Sequence, residues 1–252
     1  MAQNQDALVG RGPELAQVVR ALSAERPLLA VVGEPGIGKT TLVRAAMAAS
    51  GRRSFEGGAF ATLSWMPYLP LARAVGLDLA GDAAYAATVV EERVGRDGVL
   101  FLDDLHWADE QTLATLALLR GRVGLVVALR SGSEEADRAL EVAAPDELVR
   151  LEGLTDDDAR ELVEARTPGL AEAETRRVVR SAGGNPLLLE ELAASGGVSD
   201  SLRLALEARL RALTATGMEA MSTLALAGRP LEAHLLPNDG AELVEAGLGA
   251  RT

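Results

Sequence analysis

The most informative stretch of the sequence is "LLAVVGEPGIGKTTLV", residues 28–43, where an apolar run breaks into glycines and ends in a lysine. The apolar part, Leu28–Val32, predicts a buried strand, and Lys39–Ala49 predicts a helix. The turn between them fits the pattern G-x-x-x-x-G-K-[ST] with the residues Gly33, Glu34, Pro35, Gly36, Ile37, Gly38, Lys39 and Thr40. A strand, a glycine-rich turn and a helix form the setting in which this pattern binds phosphate groups.

Each residue type in this loop has a physical reason to be there. Glycines let the backbone turn its N–H groups inward, and these donors form an anion site with the helix N-terminus. Lys39 is the only lysine among 25 Lys and Arg residues, and its compact ammonium can reach β- and γ-phosphates. Thr40 offers a hydroxyl to Mg²⁺. The alternative, a glycine-rich turn with a solvated lysine, does not explain this setting, so we expect nucleotide binding.

Two acids follow a second apolar run, in "VLFLDDLHWAD", residues 99–109. The pattern predicts a strand over Val99–Leu102 with Asp103 at its carboxyl end, the edge where ligands bind in open parallel sheets. Asp103 is therefore a candidate Mg²⁺ ligand. Asp104 is a candidate for orienting or deprotonating an attacking water. The alternative is that the paired acids only end the strand.

Three other polar or aromatic residues lie near the predicted strand ends. Arg130 follows the predicted strand Gly124–Leu129, where a cation would face the γ-phosphate of a nucleotide; a plain surface arginine is the alternative. His106 and Trp107 come just after the acids. The chain has only two histidines, so we expect no metal cluster, and we expect Trp107 to pack locally.

The remaining pattern alternates strands with helices and then becomes helical only. This alternation predicts an α/β domain with a parallel sheet. Further predicted strands are Gly58–Leu63 and Leu148–Leu151, and further predicted helices are Leu15–Leu22, Ala83–Val94, Glu110–Arg120, Glu134–Val142, Thr155–Ala165, Glu172–Ser181, Asp200–Leu213 and Gly217–Ala227. In the segment "GGNP", residues 183–186, the glycines can end one helix, while Asn185 can cap the next and Pro186 suits its first turn.

Composition excludes several functional classes. The net charge of −12 disfavours direct DNA binding by this chain, because an acidic surface repels phosphate backbones. The absence of cysteine excludes disulfides and thiolate metal sites. No apolar run reaches the roughly 18 residues of a membrane span. We therefore expect a cytoplasmic protein without membrane contact.

Six blocks of sequence, in order, resemble one family. They are "LVGRGPELAQVVRAL" (8–22), "GEPGIGKTTL" (33–42), "MPYLPLARAVG" (66–76), "LFLDDLHWADEQTL" (100–113), "LVVALRS" (125–131) and "GGNPLLLEEL" (183–192). Together they resemble the signal-transduction ATPases with numerous domains (STAND), within the AAA-like P-loop group. The resemblance is strongest to the ATPase module of large ATP-binding LuxR-type transcriptional regulators of the MalT type.

The resemblance implies a P-loop NTPase fold with a five-stranded parallel sheet in the order 5-1-4-3-2. It implies a core over residues 1–152, a helical lid over 153–198 and the start of a winged-helix-like segment over 199–252. Such proteins act as switches in which ADP holds a resting form and ATP favours self-association. Relatives continue to a C-terminal helix-turn-helix, so any DNA binding would belong to a domain beyond these residues.

The resemblance also assigns roles to residues. ATP or ADP with Mg²⁺ would be held by three groups of residues: Val9, Gly10 and Arg11 on the adenine side; Gly36, Gly38, Lys39, Thr40 and Thr41 at the phosphates and metal; and Pro186 packing from the lid. Asp103 would be the Mg²⁺ ligand, Asp104 the catalytic acid and Arg130 the sensor of the γ-phosphate.

Three functions are compatible with these patterns. The first is a regulatory switch that binds ATP with Mg²⁺ and hydrolyses it slowly. The second is a stand-alone enzyme, such as a P-loop kinase or a chaperone-like ATPase. The third is a nucleotide-binding interaction module without turnover. A kinase lid should carry several arginines directed at phosphate, whereas this lid region contains "GGNP", which suits positioning rather than chemistry.

Overall fold

The computed structural model describes residues 8–195, 210, 213–227 and 231–245. Its centre is a parallel sheet of the strands β1 (Leu28–Gly33), β2 (Arg53–Gly58), β3 (Gly98–Asp103), β4 (Gly124–Arg130) and β5 (Glu147–Leu151). The strand order is β2-β3-β4-β1-β5, so the predicted order 5-1-4-3-2 is confirmed. This order places β1 and β3, which lead to the phosphate-binding loop and to the two acids, on either side of β4.

Helices cover both faces of the sheet. In chain order the helices of the described residues are α1 (Gly12–Ala21), α2 (Lys39–Ser50), α3 (Leu69–Val75), α4 (Ala83–Val94), α5 (Glu110–Leu119), α6 (Glu134–Ala143), α7 (Asp156–Arg166), α8 (Glu172–Ala182), α9 (Pro186–Ser195), α10 (Ala215–Ala227) and α11 (Ala241–Glu245). Alternate residues of β3 belong to two different hydrophobic cores. Leu100 and Leu102 lie in the core that includes residues of α3, α4 and α5. Val99 and Phe101 lie in the core that includes residues of α1 and α2. Burial on both faces explains the continuous apolar runs in the central strands.

The prediction for β2 is wrong by five residues. The structure has β2 over Arg53–Gly58, whereas we predicted a strand over Gly58–Leu63, where Ala61–Leu63 instead forms a short 3₁₀ turn. β2 is an edge strand that pairs only with β3, and Phe55 and Gly57 are its only buried residues. Its apolar signal is therefore weak, and its position depends on main-chain pairing that the local sequence does not reveal.

The helix α3, which the sequence pattern did not predict, packs against this strand. A Cβ atom on Gly57 would lie 1.9 Å from the carbonyl oxygen of Pro70, which is in the first turn of α3. The close approach explains why the strand carries glycine at this position. α3 has only seven residues, too short a stretch for helical periodicity to predict.

The two helices that we predicted directly after β5, Thr155–Ala165 and Glu172–Ser181, form where they were expected. The hydroxyl of Thr155 accepts a hydrogen bond from the backbone N–H of Asp158, which confirms the predicted cap of α7. α8 ends at Ala182, with Gly183 in the left-handed conformation. α9 begins at Pro186 as predicted, because Asn185 caps it through its side-chain oxygen, which accepts from the N–H groups of Leu187 and Leu188.

The chain forms two compact units that divide between Leu189 and Glu190. In the second unit, α10 matches the helix predicted over Gly217–Ala227, and the hydroxyl of Thr214 donates to the carboxylate of Glu242. The helix predicted over residues 200–213 lies almost entirely outside the described residues. The division into a core, a lid and a winged-helix-like segment stays a prediction. Within the described ranges, every helix is too short or too polar to cross a membrane.

Candidate functional site

The glycine-rich loop joins β1 to α2 at the carboxyl edge of the sheet. Gly36 and Gly38 have φ angles of 78° and 101°, a region that favours glycine, so the loop needs glycine at both positions. Gly38 is the N-cap of α2 and has no side chain to bond the first-turn N–H groups. No acidic residue lies in that turn. These free donors, together with the helix dipole, make the loop an anion-binding concavity.

The single lysine points back into this loop. The Nζ atom of Lys39 donates to the carbonyl oxygens of Gly33 at 2.9 Å and of Glu34 at 2.8 Å. Lys39 is buried, and this burial lowers the pKa of its ammonium, although the nearby carboxylate of Asp104 acts in the opposite direction. A buried cation whose hydrogen-bond partners among the described residues are neutral carbonyl groups is well placed to bind a phosphate.

Thr40 and Asp103 meet across the edge of the sheet. The hydroxyl of Thr40 donates to Oδ2 of Asp103 at 2.6 Å. Burial raises the pKa of the Asp103 carboxyl, and the hydrogen bond from Thr40 partly opposes this shift. The pair fits Mg²⁺, which prefers oxygen ligands and usually takes one or two carboxylates together with substrate phosphates. No group of three or more His, Cys, Asp or Glu residues suited to a metal occurs within the described ranges.

Asp104 lies between two potential donors. Its Oδ1 atom is 3.7 Å from Nε of Arg130 and 3.9 Å from Nε2 of His106. Its backbone is left-handed, with a φ angle of 50°. Arg130 is at the end of β4, in register with Gly33, the first residue of the loop. The structure thus brings both predicted acids and the predicted sensor arginine beside the phosphate-binding loop.

Arg11 hydrogen-bonds the phosphate-binding loop and the residue that follows β5. Nη2 of Arg11 donates to the carbonyl oxygens of Ile37 at 3.3 Å and Glu152 at 2.6 Å, and Nη1 bonds Glu14 at 3.0 Å. The guanidinium is buried, so these contacts connect α1, the loop and the end of β5. Gly10 precedes it in the left-handed conformation, and Val9 is half-buried beside it. This geometry indicates a supporting role for Arg11, whereas its predicted contact with adenine stays a prediction.

The residues at the start of α9 also contact the loop. Nδ2 of Asn185 donates to the carbonyl oxygen of Pro35 at 2.9 Å. The backbone N–H of Leu187 donates to the carbonyl oxygen of Gly36 at 3.3 Å. Pro186 is half-buried between them, whereas Thr41, on α2, is exposed. The sequence indicated Asn185 only as a helix cap. Its contact with Pro35 spans 150 residues, and no local pattern could have predicted it.

Residues 7–93 of the chain match the model of an AAA ATPase domain. No curated protein matches the chain. The chain is similar to a solved structure of the ORC1 protein of Aeropyrum pernix in complex with DNA, with a TM-score of 0.59 and 18% identity, covering 97% of this chain and 78% of that one. It is also similar to a variant of RuvB from Thermotoga maritima, with a TM-score of 0.56 and 13% identity over 96% and 89% of the two chains.

A STAND protein with a tetratricopeptide repeat sensor from Pyrococcus horikoshii aligns at a TM-score of 0.45 and 18% identity, over 98% of this chain and 41% of that one. The ORC1 and RuvB similarities, at low sequence identity, establish the fold. The chain therefore has the P-loop fold of AAA-type ATPases. Residues 7–93, which match the model of an AAA ATPase domain, include the phosphate-binding loop with Thr40.

Proposed function

We propose that this chain is a nucleotide-operated switch: it binds ATP or ADP with Mg²⁺ and hydrolyses ATP slowly. The observation that carries the proposal is the joint contact of the loop Gly33–Thr40 with an acid and with the start of α9. Thr40 bonds Asp103, while Pro35 and Gly36 accept hydrogen bonds from Asn185, the cap of α9, and from Leu187 in its first turn. A loop that senses phosphate and is bonded to a helical segment can pass on the nucleotide state.

In this proposal the loop N–H groups and Lys39 bind the β- and γ-phosphates. Thr40 and Asp103 would hold Mg²⁺, which would supply positive charge to neutralise the phosphate oxygens. Asp104 accepts a proton from the attacking water, whose oxygen forms a bond to the γ-phosphorus while the bond from phosphorus to the β–γ bridging oxygen breaks. Arg130 stabilises the charge on the γ-phosphoryl group. Phosphate and ADP are the products.

The regulatory context is part of the proposal. The sequence blocks that resemble LuxR-type regulators support a signalling module within a transcriptional regulator of the STAND class, with ATP-dependent self-association. The charge of −12 supports a chain that does not itself contact DNA. A stand-alone P-loop kinase would need several phosphate-directed arginines in its lid, whereas the segment "GGNP", residues 183–186, suits positioning rather than chemistry.

The decisive test is the affinity of a Lys39→Ala variant for ATP and ADP. Loss of charge-assisted hydrogen bonds worth about 1.5–3 kcal/mol should weaken binding by about 10- to 150-fold. Isothermal titration calorimetry measures this directly. Arg96→Ala is the matched control, because it removes an exposed positive charge just before β3, at the opposite edge of the sheet, and should leave affinity unchanged.

Equal nucleotide affinity in the Lys39→Ala variant and the parent would refute nucleotide binding through this loop. Binding without turnover in the parent would instead leave an interaction module and remove the hydrolytic part of the proposal.

A further inference from the structure

His106 is a buried side chain with no hydrogen-bond partner. Its side chain is only 2% exposed, and neither ring nitrogen bonds any described residue. A neutral imidazole has one donor and one acceptor nitrogen. Leaving such groups unpaired in the interior costs about 1–3 kcal/mol. An orphaned buried polar group of this kind calls for an explanation, such as a role in function.

The nearest carboxylate is that of Asp104. Its Oδ1 atom is 3.9 Å from Nε2 of His106, which is beyond hydrogen-bond distance. The same oxygen is 3.7 Å from Nε of Arg130. Asp104 thus lies midway between two donors and is hydrogen-bonded to neither. A small rotation of its carboxylate would complete one of the two hydrogen bonds.

The imidazole is held where it can act as that donor. It belongs to a 3₁₀ turn, Leu105–Trp107, which packs against α6 and β4. The ring of Trp107 lies 4.8 Å from that of His106. Charges of both signs face it: Arg130 and Lys39 oppose its protonation, and Glu135 of α6 favours it. Burial is the largest influence and lowers the pKa of His106 to about 4. The ring is therefore neutral near pH 7 and carries one N–H.

We infer that His106 is a positioning residue, whose Nε2–H holds the carboxylate of Asp104 in the orientation that accepts a proton from water. This inference rests on the proposed function. A γ-phosphate attracts the guanidinium of Arg130 and so releases Asp104 from that side. Oδ1 of Asp104 then turns to Nε2 of His106, and Oδ2 remains available for the proton. His106 itself contacts neither the water nor the nucleotide.

Kinetics of two variants test this role. His106→Phe keeps a ring and removes the donor. We expect kcat for ATP hydrolysis to fall by about 10- to 100-fold, as for the loss of a hydrogen bond to a charged group, with KM unchanged. His106→Gln retains an N–H donor, so its kcat should recover to within about fivefold of the parent. His234→Gln, which changes the only other histidine, is the control and should match the parent.

Thermal unfolding of the nucleotide-free variants separates positioning from packing. His106→Phe removes no hydrogen bond present in this state, so its melting temperature should equal or exceed that of the parent. An unchanged kcat in His106→Phe would overturn the inference. A fall in kcat that is fully explained by a smaller fraction of folded protein would also overturn the inference.

Nuclear magnetic resonance gives a readout independent of turnover. The chain has two histidines, so His234→Gln leaves one imidazole to observe. With Mg²⁺ and a non-hydrolysable ATP analogue, the Nε2–H proton should move downfield, and the shift should be absent in Asp104→Ala. An unmoved proton resonance in the analogue-bound parent contradicts the inference, while calorimetry on the same sample shows whether nucleotide binding itself has failed.

Discussion

Two adjacent carboxylates, Asp103 and Asp104, have different surroundings. Asp103 ends β3, is mostly shielded and bonds Thr40. Asp104 is left-handed, 38% exposed on its side chain, and faces Arg130 and His106. The two acids therefore differ in what they can do: Asp103 is next to the hydroxyl of Thr40 in the phosphate-binding loop, and Asp104 is next to the side chains of Arg130 and His106.

We expect Asp103→Asn to weaken Mg²⁺-dependent nucleotide binding, because it removes the charged oxygen beside Thr40. Asp104→Asn should leave binding nearly intact and lower turnover by about 10²- to 10⁴-fold, the usual contribution of a general base. Calorimetry with and without Mg²⁺ and a phosphate-release assay measure the two effects. Parental turnover in Asp104→Asn would show that the base lies elsewhere.

The buried imidazole of His106 should make the protein sensitive to acid. Its pKa is about 4 in the folded state, against 6.5 in the unfolded chain, so the unfolded chain binds more protons between these values. Stability is therefore lost as the pH falls through this window, by about 2 kcal/mol between about pH 7 and pH 4.5. Urea denaturation of the parent and of His106→Phe at both pH values isolates this contribution, since other groups titrate in both proteins. Parallel losses of stability would contradict it.

At the level of helices and strands, the junction of α8 and α9 connects the helices after β5 to the phosphate-binding loop. Gly183 and Gly184, both with positive φ angles, separate the two helices. The N–H of Leu154 donates to the carbonyl oxygen of Gly184 at 2.8 Å, so this turn packs on the segment that follows β5. Asn185 then uses its oxygen to cap α9 and its amide N–H to bond Pro35. One side chain thus serves both the helix and the loop.

An Asn185→Ser variant can separate these two functions, because serine is a good N-cap but has no amide donor. We expect α9 to remain capped while the hydrogen bond to Pro35 is lost. Loss of one neutral hydrogen bond, about 0.5–1.5 kcal/mol, should speed ADP release by about two- to tenfold. Stopped-flow fluorescence with a labelled ADP measures the rate. Asn185→Ala, which also loses the cap, should be less stable than Asn185→Ser; equal release rates in the parent and Asn185→Ser would rule out this coupling.

At the scale of the whole chain, the switch hypothesis depends on how far one phosphate can shift the equilibrium between a closed form, in which the start of α9 bonds the loop, and an open form, in which it does not. A ligand shifts the balance only by its difference in affinity for the two states. A change from mostly closed to mostly open needs about 5.5 kcal/mol. In the proposed switch the γ-phosphate competes for Arg130, and we expect this single contact to supply less than that. We therefore expect only partial release of the start of α9 from the loop.

Hydrogen exchange over residues 155–189 tests this expectation. Protection should be lower with a non-hydrolysable ATP analogue than with ADP, because ATP loosens the contact of Asn185 with the loop. Exchange in α4, which is far from the loop in sequence and packs on α5, serves as the internal reference. Equal protection of residues 155–189 in the two states would leave nucleotide binding without a switch.

The sequence alone determined the parts of this protein whose signals are local. The loop Gly33–Thr40, the acids at the end of β3 and the cap of α7 at Thr155 each depend on residues within a few positions of one another. The buried central strands were predictable because burial on both faces demands continuous apolar runs. These elements predicted a parallel sheet, and the resemblance to a known family predicted its strand order.

Only the tertiary structure decided the contacts between residues far apart in the chain. The edge strand β2 takes its position from pairing with β3, because its own sequence has one weakly apolar face. Asn185 reaches Pro35, and Arg11 reaches Glu152, across more than a hundred residues each. The burial of His106 beside Asp104 depends on how α6 and β4 pack around its turn. Such contacts arise when whole elements pack together, so no short pattern of residues encodes them.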